Sequence, residues 1–184
     1  MGMIGDSLDR ALHGTFTQPI PKSGPAQMRY LVKQLKGTKR VADALAISQR
    51  TVERYVRNQI KRPRAELAAR LESEVKKRWQ PQVRARAKRA ATTTGGIVID
   101  TRARFGFTAA PGSTDDARLR LITQALPPTY AARLFDAHDA GANEAQLQAI
   151  AAEGLQEIYF KDRGRRAAGL AVEFTDIDYL DFEL

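Results

Sequence analysis

Between Ile97 and Phe107 the side chains alternate one for one. Ile97, Ile99, Thr101, Ala103, Phe105 and Phe107 fall on one parity, and Val98, Asp100, Arg102 and Arg104 on the other. Period two over that length is the mark of a half-buried β-strand. The chain on either side of it carries helical spacing, so the run constrains the whole: a class built from helices and a small sheet, α+β, with the apolar side of the strand facing helices. Gly106 is the expected place for a bulge or for a bend into two strands.

After this strand three helices are expected. The first spans about 115–125. The second follows Pro127-Pro128, contains Tyr130, Leu134 and Phe135, and ends at Gly141. The third runs from about Asn143 to Phe160 with Leu147, Ile150, Leu155 and Ile158 inward. At the end of the sequence LAVEFT and DYLDFEL alternate again, and they are expected to pair beside the first strand. The second half is thus read as a small sheet covered by helices on one face. An exposed edge of that sheet is a place where copies of the chain can associate.

Charge divides the sequence. Residues 1–94 hold 21 Lys/Arg and 7 Asp/Glu, whereas residues 95–184 hold 9 and 14, which together give the net charge of +9. A cationic half joined to a mildly acidic half points to a polyanion as partner of the first and to something else as partner of the second. The step coincides with TTTGG, Thr92 to Gly96, read as a domain junction. The expected organisation is an N-terminal arm over 1–24, a helical DNA-binding domain over 25–79, a basic linker arm over 80–94 and an α+β domain over 95–184. Cys is absent, which excludes disulfides and thiolate metal sites. No apolar run approaches the about 20 residues of a membrane span, and MGMIGDSLDR lacks the pattern of a secretory signal. The expected location is the cytoplasm, without membrane contact. His13 and His138 have no ligand-type neighbours at metal spacing and read as structural.

Within the basic half, AQMRYLVKQLK places Met28, Leu31, Val32 and Leu35 at helical spacing, and Gly37 stops that helix. Next come Val41, small Ala42, Leu45, Ile47, Val52 and Tyr55. Ser48 is a natural N-cap for a helix from about Gln49 to Gln59, which leaves Ala46-Ile47-Ser48 as the turn. The spacing resembles the helix-turn-helix family over about twenty residues. Ala46 departs from it, since many members carry Gly there, and a turn geometry that avoids the strain is expected. Gln49, Arg50, Thr51, Glu53, Arg54, Arg57 and Asn58 would face outward. Gln, Arg and Asn offer paired hydrogen bonds to base edges in the major groove, so Gln49, Arg50, Thr51, Arg54, Arg57 and Asn58 are the expected DNA-reading set. KRPR bends the chain into a further helix with Leu67, Leu71 and Val75 on one side, and Trp79 is expected to pack on the helix-turn-helix. QPQVRARAKRA then brings Arg84, Arg86, Lys88 and Arg89 without a core pattern, read as a phosphate-tracking arm that adds affinity rather than sequence choice.

PGSTDDARLR, Pro111 to Arg120, sets two hydroxyls and two carboxylates behind a Pro-Gly turn. On local chemistry Ser113 and Asp116 form a capping box. Thr114 is then the first helical residue, its hydroxyl uncommitted. A helix N-terminus favours anions, although Asp115 and Asp116 oppose a phosphate there.

GDSLDRA, PAQMRYLVKQLKG, SQRTVERYV, KKRWQPQVRARAKR, TTGGIVIDTRARFGFTAAPGSTDDARLR, LPPTYAARLF, AEGLQEIYF and VEFTDIDYL cover nearly the whole chain. In these stretches the sequence resembles the telomere-protecting terminal proteins of linear actinomycete chromosomes and plasmids. The resemblance implies a protein that becomes covalently attached to the 5′ ends of a linear replicon and primes the synthesis that patches them. It implies Thr114 as the priming hydroxyl, with Ser113 left open as a neighbouring one. It further implies the telomeric 3′ overhang, a DNA polymerase and a telomere-associated helper protein as partners, and a nucleoid-associated location in a bacterium. Phosphoryl transfer needs an aligned nucleophile and divalent metal. No ligand set for two metals is visible, so Mg²⁺ and the deoxynucleotide are expected in the polymerase complex. The chain would be a primer, consumed once per end, and not an enzyme. The rival reading is a helix-turn-helix transcriptional regulator with a C-terminal dimerisation or sensor domain. A nuclease or transferase is disfavoured, because no paired-His or clustered-carboxylate constellation occurs.

Overall fold

The computed structural model describes residues 2–108, 118–161 and 171–184. Its chain divides into two compact units, Phe16–Pro81 and Met1–Thr15 with Gln82–Leu184. In sequence order the described elements are α1 (Met3–Gly14), α2 (Gly24–Leu35), α3 (Thr38–Leu45), α4 (Gln49–Val56), α5 (Ala65–Arg78), α6 (Pro81–Ala90), a π-helical turn (Ala91–Gly95), β1 (Ile97–Thr108), β2 (Arg118–Leu126), α7 (Pro128–Asp139), α8 (Glu144–Leu155), a second π-helical turn (Gln156–Phe160) and β3 (Ala171–Glu183). The class is α+β.

The helical unit is α2 to α5. Met28 and Leu31 of α2, Val41, Ala42 and Leu45 of α3, Val52 and Tyr55 of α4, and Leu71 and Val75 of α5 close one apolar core. Each large aliphatic side chain buried there contributes about 1.5–3 kcal/mol. Ser23 caps α2, accepting from the Ala26 N–H at 3.4 Å, and Lys36 ends it in the left-handed region at φ 55°. Trp79 packs its ring on Tyr30 of α2 with centroids 4.7 Å apart, and its Nε1 donates to the Gln18 carbonyl at 3.0 Å.

In the sheet unit β1 is the central strand, antiparallel to β2 on one side and to β3 on the other. Ile97, Ile99, Ala103 and Phe105 of β1 join Ile122 and Leu126 of β2 and Val172, Leu180 and Phe182 of β3 on the covered face. Ile4, Leu8 and Leu12 of α1, Leu134 and Phe135 of α7, and Leu147 and Leu155 of α8 fill it from the other side. Buried Thr101 donates to the Tyr179 carbonyl at 2.8 Å. Gly96 (φ 74°) leads into β1 at a position that admits no side chain: a Cβ there would lie 2.1 Å from the Leu126 carbonyl oxygen.

Several expectations are corrected. The segment expected as a helix over 115–125 is a strand from Arg118 onward, paired through Ile97↔Leu126 to Phe105↔Arg118. Ile122 and Leu126 are buried and four apart, which suits a helix as well as a strand. Leu119 and Leu121 on the opposite parity are exposed, which hid the alternation. The N-terminal arm is a helix whose Ile4, Leu8 and Leu12 enter the sheet unit's core. The Ile4 N–H is received by Glu144 Oε1 at 2.8 Å. The basic linker arm is helical too: α6 runs into the first π-helical turn, where Ala91 is buried. The junction therefore does not fall at Thr92–Gly96. The chain passes from unit to unit after Thr15 and after Pro81. The two C-terminal alternating runs form one strand, and the register of β1 against β3 shifts at Arg102/Ala103 and Arg104/Phe105 rather than at Gly106.

Candidate nucleic-acid interface

α3 and α4 are joined by Ala46, Ile47 and Ser48. Ala46 takes φ 51°, ψ 50°, so the turn does not avoid the left-handed region. The Ile47 N–H reaches the Ala42 carbonyl at 3.0 Å, which holds Ala46 there. Ser48 caps α4, its Oγ accepting from the Thr51 N–H at 3.2 Å and lying 2.8 Å from Thr51 Oγ1. Val52 and Tyr55 anchor α4 in the core. Burial pushes the Tyr55 hydroxyl above its ordinary pKa, with the Arg64 charge opposing. The helix ends at Val56 rather than at Gln59, and Asn58 turns the chain at φ 59°.

The face left outside carries Arg50, Arg54 and Arg57 at i, i+4 and i+7, all exposed, with Gln49 beside them. Gln49, Arg50, Glu53, Arg54, Arg57 and Gln59 border an open concavity of about 480 Å³. Gln49 Nε2 donates to Glu53 Oε1 at 3.0 Å and to Thr38 Oγ1 at 3.1 Å, which links the first turns of α3 and α4. At the other end Arg29 of α2 donates to the Val56 carbonyl at 3.3 Å and to Asn58 Oδ1 at 3.1 Å. Asn58 is thus engaged by Arg29, and half-buried Thr51 serves the cap. Gln49, Arg50, Arg54 and Arg57 are the expected readers presented outward together.

Electrostatics make this unit cationic. The helical unit holds 16 Lys/Arg and 5 Asp/Glu, the sheet unit 14 and 16. Glu66, Glu72 and Glu74 of α5 pair with Arg70, Lys76, Lys77 and Arg78 of the same helix. Asp43 and Glu53 are the remaining acids of the unit, and Glu53 is hydrogen-bonded to Gln49. Among the described residues Arg50, Arg54 and Arg57 have no carboxylate partner. Three aligned, unneutralised guanidinium groups with paired donors present what an anionic polymer carrying acceptors along its edge requires. Arg29, Thr38 and Gln59 were missed in the sequence. Arg29 had a signal, as the charged residue opposite the Met28–Leu31 stripe.

Arg84, Arg86, Lys88 and Arg89 lie on α6, in the sheet unit. Arg84 pairs with Asp9 of α1 at 3.5 Å. Lys88 pairs with Asp139 of α7 and stands 5.3 Å above the Phe135 ring. His138 Nε2 is 4.0 Å from the other oxygen of Asp9. Two of the four cations therefore fasten α6 to its own unit, and Arg86 and Arg89 are exposed. Ser113, Thr114, Asp115 and Asp116 lie outside the described residues. Among the described residues no three His, Asp or Glu gather at metal-ligand spacing, and no helix is long and apolar enough to cross a membrane.

No family model, no curated protein and no solved structure matches this chain.

Proposed function

We propose that the chain is a terminal protein of linear replicons: a DNA-binding protein that becomes covalently joined to 5′ ends and primes end-patching synthesis through a threonine hydroxyl. The observation that carries the DNA-binding part is the Arg50–Arg54–Arg57 stripe beside Gln49 on α4. In this reading α3 and α4 are a helix-turn-helix, α4 enters the major groove, and its arginines take phosphates or guanine edges. The priming part rests on the long sequence stretches that resemble the terminal-protein family, with Thr114 as the nucleophile and Ser113 as its neighbour.

In that reaction the Thr114 oxygen attacks the α-phosphorus of a deoxynucleoside triphosphate. A phosphodiester to the protein forms, the bond to pyrophosphate breaks, and the hydroxyl proton passes to a base of the polymerase. Mg²⁺ belongs to the polymerase, and the helper protein assists its recruitment at the telomeric 3′ overhang.

The test uses the full chain, the polymerase and a labelled deoxynucleoside triphosphate. Wild type and Thr114→Ser are expected to take up label. Thr114→Ala should take up none while retaining DNA binding. Replacing Arg50, Arg54 and Arg57 with Ala should weaken DNA binding and reduce the slope of log K against log salt by about 2–3. Label on Thr114→Ala would overturn that site. DNA binding without label on wild type would leave the regulator reading instead.

A further inference from the structure

The two edges of the sheet differ in kind. β3 carries Glu173, Asp176, Asp178, Asp181 and Glu183 and no Lys or Arg. Charge along an edge guards it against pairing with another chain: Asp178 and Asp181 pair with Arg102 and Arg10, and Glu173, Asp176 and Glu183 leave β3 acidic against its own copy. β2, RLRLITQAL, has no acid. Its outward parity is Leu119, Leu121, Thr123 and Ala125, with Leu119 40% and Leu121 72% exposed. Arg120 does not guard this face, because its guanidinium lies 5.5 Å over the Phe160 ring. β1 is the single strand neighbour of β2 among the described residues.

We propose that β2 is a dimer edge: a second copy of this chain lays its own β2 antiparallel against it, so that the two sheets continue into one. Helices cover one face of each sheet. For both covered faces to stay on the same side, residues that meet across the new seam must share parity. The two-fold axis then falls on a residue, and the choice among residues is narrow. An axis at Arg120 would set like charges opposite each other. An axis at Leu121 or Ile122 sets Arg120 opposite Ile122 or Gln124 of the copy instead. Either axis gives the exposed Leu121 an apolar cover, from its own counterpart or from Thr123. On β3 the Phe182 and Val172 N–H groups are already taken by Ser7 and Gln156, each at 2.8 Å, so among the described residues the copy's β2 is the strand edge left open to meet this one. This inference does not rest on the priming reading.

The lack of native Cys makes the test clean. Sedimentation of the full chain should show a concentration-dependent dimer, and Leu121→Lys should abolish it without changing the unfolding midpoint measured at concentrations where wild type is monomeric, since that side chain is mostly in solvent in the monomer. Leu121→Cys alone (axis at Leu121) or mixed with Thr123→Cys (axis at Ile122) should give a disulfide-linked dimer on mild oxidation, whereas Glu173→Cys on β3 should not. A wild type that stays monomeric, a dimer that survives Leu121→Lys, or cross-linking through Glu173→Cys in place of Leu121→Cys would each overturn the proposal.

Discussion

The backbone N–H of Phe182 donates to the hydroxyl of Ser7 at 2.8 Å, joining residues 175 positions apart. Ser7 is fully buried, and its hydroxyl also lies 3.3 Å from Asp181 Oδ1. It is a buried polar rivet between α1 and β3, set beside the exposed Arg10–Asp181 ion pair that joins the same two elements.

Ser7→Ala should therefore cost about 1–3 kcal/mol, because it strands a buried donor on β3. Urea unfolding followed by circular dichroism measures it. An unchanged midpoint would mean that the Ser7 hydroxyl adds nothing to the hold on α1.

Ala46 should be improvable. A residue with a Cβ in the left-handed region costs about 1–2 kcal/mol relative to relaxed backbone, and Gly removes much of that strain. Ala46→Gly is expected to raise the stability of the helical unit by about 1 kcal/mol, as read by thermal melting. A loss of stability would mean that the unfolded-chain entropy of Gly outweighs the strain.

Tyr130 should give the fold an alkaline limit. Its hydroxyl donates to Glu157 Oε2 at 2.5 Å, and burial, aided by that carboxylate, raises its pKa to about 12. A phenol in the unfolded chain titrates near about 10. The native state therefore holds its proton more tightly, and this contribution is complete below about 10 and disappears as pH climbs towards about 12. Stability should fall across that interval, and Tyr130→Phe should flatten the fall. An equal slope in the variant would assign the alkaline loss to other groups.

The elements that were readable in advance are those whose pattern is one-sided. β1 buries one parity and solvates the other, and α4 has Ser48 in front, Val52 and Tyr55 beneath and arginines outside. β2 was misread because leucines occupy both of its faces and because Ile122 and Leu126 fit a helical step. α1 was overlooked although Ile4, Leu8 and Leu12 are regularly spaced, since its partner strand lies at the far end of the sequence. α6 looked like a solvated arm because the acids that neutralise it are remote, Asp9 being 75 positions from Arg84 and Asp139 being 51 from Lys88. Long-range partners of that kind leave no local trace. The same applies to Asn58 and Thr51, whose chemistry suits base contact but whose hydrogen bonds go to Arg29 and to Ser48.

The helical unit lies in sequence between α1 and α6 of the sheet unit, and this sets an order of events during synthesis. Among the described elements α1 is translated before all others, yet the strand it rests on is translated after them. The intervening helices carry a core of their own and can fold in the meantime. For that interval α1 keeps a greasy stripe without cover, which makes it the natural foothold for a chaperone and the first place where a stalled nascent chain would clump.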